Sequence, residues 1–215
     1  IYPRMAVIGC GLIGSSVIRA AREAGVVGEI AVAESSEAAR ATIADLGLAD
    51  RLTADPAEAV RDADLVLFAV PVLSMEAAAR AAAPGLKPGA TVTDVGSVKG
   101  HVAEVLNASC PDTAHVIPGH PIAGSERSGP EAGFAELFQN RWTILTPQER
   151  DDPTYAEALA RLTAFWTALG ANVETMDAKH HDLVLAITSH LPHLIAYNIV
   201  GTTADLETVT QAEVM

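Results

Sequence analysis

The chain has few cysteines, few aromatic residues and few positive charges, and each scarcity restricts what it can do. Only two cysteines occur in 215 residues, aromatic residues make up 4%, and 14 Lys and Arg stand against 27 Asp and Glu. Cys10 and Cys110 lack metal or redox spacing, which predicts a reducing, cytoplasmic location. The net charge of −13 argues against a nucleic-acid partner. An anionic substrate would therefore need a local basic pocket.

Membrane and export signals are also missing from the pattern. The first residues run directly into an apolar strand pattern, so we expect no signal peptide. The most apolar long stretch, residues 183–200, contains two histidines and a proline. It therefore predicts a buried helix and no membrane span.

What the sequence does contain is an alternation of strand and helix patterns. It predicts an α/β fold in which residues 1–176 form a Rossmann-type, doubly wound, mostly parallel sheet. Asp177 is a candidate cap for a long helix running towards residue 200, and a second helical pattern runs from residue 204 to 215. Some forty residues of helix cannot close a core, so we expect residues 177–215 to begin an incomplete all-α domain. More chain or a second copy would complete it.

The first predicted strand ends in a glycine turn, residues 9–14 (GCGLIG), followed by a helix and a second strand. In that context the three glycines favour a dinucleotide site over a glycine turn without a ligand, because they allow a tight turn and backbone contact with pyrophosphate. Glu34 ends the second strand, where an acid would bind the ribose of NAD. Ser35, Ser36 and Arg40 offer the alternative of a 2′-phosphate, so NAD is preferred and NADP stays possible. The expected cofactor contacts are Gly9, Gly11, Leu12, Ile13, Gly14, Glu34, Val70, Pro71 and Gly96.

Two segments further along offer polar groups for chemistry at the carboxyl edge of the sheet. In residues 93–100 (TDVGSVKG), Ser97 is either a helix cap or a cleft residue beside the nicotinamide. Lys99 is either a contact for an anion or a solvated surface lysine. In residues 119–124 (GHPIAG), which read as a loop, His120 is the candidate base. A hydride acceptor and a base of near-neutral pKa are what oxidation of an alcohol requires.

The long C-terminal helix carries a further polar group, residues 189–193 (SHLPH). The spacing places His190 and His193 on one face, and Pro192 is expected to kink the helix. No carboxylate or cysteine is suitably placed beside them, so no metal is expected. A core role explains one histidine but not two together with Ser189. His181 is expected to be structural, with the alternative that it lines the cleft.

These segments resemble the prephenate/arogenate (cyclohexadienyl) dehydrogenase family. The matching segments are residues 9–14, 94–100 (DVGSVKG), 119–129 (GHPIAGSERSG) and 189–193. They extend from the first strand to the last helix. The HPIAG and SHLPH pair is specific, because other Rossmann dehydrogenases lack it.

The resemblance implies NAD(P)-dependent oxidative decarboxylation of prephenate or L-arogenate in tyrosine biosynthesis. Hydride leaves C4 for the nicotinamide, the 4-hydroxyl proton goes to a base, and loss of CO2 aromatises the ring. His120 would be the base and Ser97 would position the hydroxyl, while a homodimer would form through the helical domain. The family's carboxylate-binding arginine is expected beyond residue 215, which predicts little activity for these residues alone. The substrate contacts expected within the chain are Ser189, His190, His193, Lys99 and Arg127.

Two other functions remain open on the sequence. A related NAD(P) oxidoreductase of the 6-phosphogluconate-dehydrogenase type would need a catalytic lysine on the helical domain, where Lys179 is the sole lysine. A nicotinamide-binding sensor would need no base, so the presence of Ser97 and His120 counts against it.

Overall fold

The computed structural model describes residues 1–210, with side chains for residues 1–206. Its main sheet is built from β1 (Tyr2–Ile8), β2 (Val27–Ala33), β3 (Arg51–Thr53), β4 (Leu65–Phe68), β5 (Thr91–Asp94) and β6 (His115–Val116). The order is β3-β2-β1-β4-β5-β6, and all five pairings are parallel. The strand order reverses between β1 and β4, which is where open α/β sheets bind ligands.

Helices cover both faces of this sheet, which explains why its strands are apolar runs without alternation. All four residues of β4 are buried, for example. One apolar cluster includes Val17 and Trp166, and the opposite cluster includes Met75 and Leu106. The predicted α/β class and Rossmann-type sheet are confirmed. The helices of this part are α1 (Leu12–Glu23), α2 (Glu37–Asp45), α3 (Pro56–Ala59), α4 (Met75–Ala82) and α5 (Lys99–Ser109).

The prediction that all strands join one sheet is wrong. A separate sheet consists of β7 (Gly119–Pro121), antiparallel to β8 (Trp142–Leu145), which pairs in parallel with β9 (Asn172–Thr175). The chain leaves the main sheet after Ile117, whose N–H still bonds Val92 of β5. Pro118 then has no N–H with which to continue the ladder. His120 therefore lies on a strand and not in a loop, and α6 (Pro153–Ala168) connects β8 to β9.

The C-terminal part is one long helix with an irregular middle. Asp177 caps α7 (Ala178–Leu185) as predicted, accepting hydrogen bonds from the next turn. A π-helical turn, Ala186–His190, then leads into α8 (Leu191–Thr210). This turn stands directly before the expected kink at Pro192, whose missing N–H disfavours regular α-helical bonding there. The predicted start of a second helix at residue 204 is wrong within the described part, and residues 211–215 lie outside the described residues.

The apolar side chains of this helix are exposed, contrary to the expected buried helix. Leu194 is 60% and Tyr197 78% exposed. By length and composition alone, the segment Ala178–Leu206 could cross a membrane, with a hydropathy of 1.5 and 6% of its most apolar window buried. The helix therefore presents an apolar face that the described residues leave uncovered.

Candidate active site

The glycine turn after β1 has the geometry that a dinucleotide site needs. Gly9 has φ +85°, and a Cβ placed on it would lie 2.8 Å from the Ala69 carbonyl oxygen. A Cβ on Gly14 would lie 2.5 Å from the Gly9 oxygen, so α1 packs closely on the turn. Gly11 has open space around its Cβ position and precedes α1 without a side-chain cap. The turn therefore leaves room for a pyrophosphate at a helix N-terminus.

The Glu34 side chain lies where the ribose of a dinucleotide is expected. Its carboxylate accepts hydrogen bonds from the N–H groups of Cys10, at 3.1 Å, and Ser36, at 2.9 Å. The Arg40 guanidinium donates to the carbonyl oxygens of Glu34 and Ser35 at 2.6 and 2.8 Å. Arg40, which the sequence offered for a 2′-phosphate, is thus already held by main-chain acceptors.

A buried ion pair lies beneath the carboxyl end of β5. Lys99 and Asp94 are both fully buried and form a salt bridge. The Lys99 ammonium also donates to the carbonyl oxygen of Gly119 at 2.5 Å. Asp94 accepts from the N–H groups of Gly96 and Gly119. Lys99 is therefore not the surface anion contact that the sequence suggested, because its ammonium is directed into the protein and ties β7 to β5.

The residue before His120 has to be small. A Cβ on Gly119 would lie 3.1 Å from Leu145 and 3.2 Å from the Asp94 carbonyl oxygen. This close approach holds β7 against the end of β5 and fixes where the next residue, His120, stands.

His120 is the first member of a chain of hydrogen-bonded side chains. Its Nδ1 lies 2.9 Å from Nε2 of His181, and Nδ1 of His181 lies 2.9 Å from Asp182 Oδ1. Asp182 also accepts from the N–H groups of Lys99 and Gly100. It thereby caps α5, whose own N-cap residue provides no side-chain bond. His181 is fully buried and contacts His120 from behind, and it is not among the residues that line the cleft.

A cleft of about 850 Å³ opens in front of His120. Five of the predicted catalytic and substrate residues line it together: Ser97, His120, Ser189, His190 and His193. Ser97 is not the cap of α5, because Val98 holds that position. The spacing argument that placed both helix histidines on one face agrees with their common position here. Among residues 1–206, no cluster of three or more His, Cys, Asp or Glu side chains could hold a metal ion.

The structure places a different arginine on the cleft from the one the sequence suggested. Arg127 is 76% exposed, 3.9 Å from Glu126, and does not line the cleft. Arg141 lines it, and its guanidinium has no ion pair or side-chain hydrogen bond within the described part of the chain. Sequence reasoning missed Arg141 because it precedes β8, and only the antiparallel pairing of β8 with β7 brings it to His120.

The environment of His120 changes its acidity. Burial lowers the pKa of His120 to about 3, and the positive charge of Lys99 and the two neighbouring histidines, His181 and His190, act in the same direction. Asp182 opposes this shift. The near-neutral pKa expected from the sequence is therefore wrong, since His120 is held as a neutral imidazole at physiological pH.

Together, the parallel sheet, the glycine turn and the histidine-lined cleft define a Rossmann-type nucleotide-binding protein. Residues 17–175 match the model of the prephenate dehydrogenase nucleotide-binding domain, and residues 177–215 match the model of the prephenate dehydrogenase dimerization domain. The chain is 43% identical over 215 residues to a cyclohexadienyl dehydrogenase of Zymomonas mobilis, covering 100% of this chain and 72% of that protein. The chain belongs to the prephenate dehydrogenase family, as its motifs indicated.

Solved structures agree with this assignment. Prephenate dehydrogenase from A. aeolicus, in complex with hydroxyphenyl propionate and NAD+, superposes with a TM-score of 0.85 at 30% identity, over 94% of this chain and 70% of that one. Synechocystis arogenate dehydrogenase has a TM-score of 0.80 at 28% identity, over 97% of this chain and 73% of its own.

We expect the free energy of unfolding of the full chain to fall as the pH is lowered from about 7 to about 5. Unfolded His120 binds a proton below about pH 6.5, whereas the folded chain does so only near pH 3. Acid therefore favours the unfolded chain. His181, whose pKa burial also lowers, acts in the same direction.

Urea unfolding at several pH values measures this effect in the wild type, in His120→Asn and in His101→Asn, which changes an exposed histidine on α5. The loss of stability on acidification should be smaller in His120→Asn and unchanged in His101→Asn. Equal losses in all three proteins would contradict the assigned pKa.

Proposed function

We propose that this protein catalyses the NAD-dependent oxidative decarboxylation of prephenate or L-arogenate in tyrosine biosynthesis. The products are CO2, NADH and the corresponding 4-hydroxyphenyl compound. The observation that carries the proposal is the common cleft of Ser97, neutral His120 and the SHLPH segment at the carboxyl edge of the sheet. The substrate class is supported by the names of the relatives and by the family.

The residues of the first βαβ unit fit NAD. The uncovered N-terminus of α1 at Gly11 suits the pyrophosphate, and Glu34 suits the ribose hydroxyls. Arg40 is engaged by two carbonyl oxygens, which favours NAD over NADP. When bound, NAD+ supplies the oxidant that accepts the hydride from C4 of the substrate.

The chain's own residues handle the proton of the 4-hydroxyl group. His120 is neutral, so it accepts this proton without first losing one of its own. Ser97 orients the hydroxyl by hydrogen bonding. Ser189, His190 and His193 shape the helical side of the cleft and orient the ring. Loss of CO2 needs no acid, because the oxidised ring is the electron sink.

We assign residues 1–176 to the nucleotide-binding domain and residues 177–215 to the start of the helical domain, in a cytoplasmic homodimer. The match to a dimerization domain supports a second copy, in preference to a membrane, as the cover of the exposed face of α8. Its exposed leucines are what such an interface would bury.

Sedimentation of the full chain without detergent should therefore report twice the mass of one chain. Leu194→Glu should shift this species towards monomer, whereas Leu73→Glu, at a 97% exposed position away from α8, should not. A wild-type monomer at micromolar concentration, or binding to lipid vesicles, would contradict the dimer.

The reaction is tested by NADH absorbance with the full-length protein and each combination of prephenate or L-arogenate with NAD+ or NADP+. His120→Asn should lower kcat by about 10²- to 10⁴-fold, the range for loss of a general base. Calorimetry should show unchanged NAD affinity, because His120 lies away from the glycine turn. No reduction in any mixture despite NAD binding would refute the dehydrogenase and favour a sensor.

Arg141 is the residue on the cleft that suits a substrate carboxylate, because its guanidinium is uncommitted. Arg141→Ala should raise KM by about tenfold or more, as expected for a lost hydrogen bond to a charged group. Arg127→Ala is the matched control and should leave KM within about twofold. If Arg127→Ala raises KM and Arg141→Ala does not, the assignment made from the sequence is the correct one.

A further inference from the structure

We propose that His181 and Asp182 are positioning residues that fix the tautomer of His120, so that its unprotonated Nε2 faces the cleft. The inference rests on the proposed function for its chemical meaning. Its structural content, the position of one proton on one ring, can be measured without any substrate.

The argument begins at Asp182, at the start of the hydrogen-bonded chain. Burial raises the pKa of Asp182, but backbone hydrogen bonds from Lys99 and Gly100 and a bond from His181 outweigh it and lower the pKa overall. Asp182 is therefore an ionised carboxylate, which accepts hydrogen bonds and donates none. The ring nitrogen of His181 that meets it at 2.9 Å, Nδ1, must carry a proton.

The next step concerns the second nitrogen of His181. Burial lowers the pKa of His181, despite the opposing effect of Asp182, so the fully buried ring is neutral. A neutral imidazole with its proton on Nδ1 has a lone pair on Nε2. That lone pair lies 2.9 Å from Nδ1 of His120 and accepts a hydrogen bond from it.

His120 is thereby fixed as well. Its Nδ1 carries the proton that is donated to His181, and its own pKa, lowered by burial, keeps the ring neutral. The lone pair is then on Nε2, the ring nitrogen that has no partner among the described residues and is left for a ligand in the cleft. This is the tautomer that a proton acceptor needs. A free histidine would favour the opposite one, with Nε2 protonated.

The surrounding charges support the same assignment. Lys99 and His190 act on His120 as positive neighbours or potential positive neighbours, and Asp94 and Lys99 act on His181. A protonated His181 would donate from Nε2 and reverse the tautomer of His120, but burial and the Lys99 charge disfavour it. Asp182 is held in place by the first turn of α5, so the chain of bonds has a rigid origin.

Nitrogen-15 NMR of the full chain with labelled histidine measures the tautomer directly, and His120→Asn identifies the His120 signals. In the wild type at neutral pH, His120 should be protonated on Nδ1 and unprotonated on Nε2. In His181→Phe, which keeps ring volume and removes the acceptor, His120 should shift towards the Nε2-protonated form. In that variant kcat should fall about 10- to 100-fold with KM nearly unchanged, because the base is mispresented and not removed.

Two further variants separate positioning from a general loss of structure. His181→Gln keeps an acceptor for His120 and a donor for Asp182, and should restore most of the wild-type tautomer and kcat. His180→Phe, at the exposed neighbouring position, should change neither. A wild-type His120 protonated on Nε2, or an unchanged tautomer in His181→Phe, would overturn the proposal. The expected tautomer in a protein without dehydrogenase activity would instead refute only the proposed function.

Discussion

The buried pair of Lys99 and Asp94 is the constraint on which the arrangement of the cleft depends. Removing two charges from water costs on the order of several kcal/mol per ion, so such a pair persists only when further hydrogen bonds satisfy it. Here those bonds come from Gly96 and Gly119. The pair therefore joins the end of the main sheet to the start of the second sheet. His120 follows Gly119 directly, and its position is set by this junction.

The start of the C-terminal helix is built into the same region. Asp182 of α7 caps α5, which carries Lys99 in its first turn, and it also meets His181 behind His120. One carboxylate therefore links the nucleotide-binding part, the helical part and the candidate base. The π-helical turn that follows alters the helical register at Ser189 and His190, so that the polar residues of this segment line the cleft while α8 continues with its apolar face exposed.

Charge explains how an acidic protein can accept an anionic substrate. The net charge of −13 repels an anion on average. The cleft offers a local exception, since Arg141, His190 and His193 line it, although Glu126 and Glu136 lie on its border as well. In a cleft with such a mixed border, the position of a single guanidinium has a large effect on how the substrate is oriented.

The sequence by itself determined the α/β class, the dinucleotide turn, the cap at Asp177 and the family, because these depend on local spacing: glycines at fixed offsets, apolar runs and short motifs. It also indicated Ser97, His120 and the SHLPH histidines as one group. Only the tertiary structure decided that Lys99 is buried, that His120 stands on a strand with a strongly lowered pKa, and that Arg141 in place of Arg127 reaches the cleft. Burial, strand pairing and hydrogen-bond partners arise from residues far apart in the chain, such as the 61 positions between His120 and His181. Local patterns carry no record of these contacts, so the electrostatics of the site could not be derived from them.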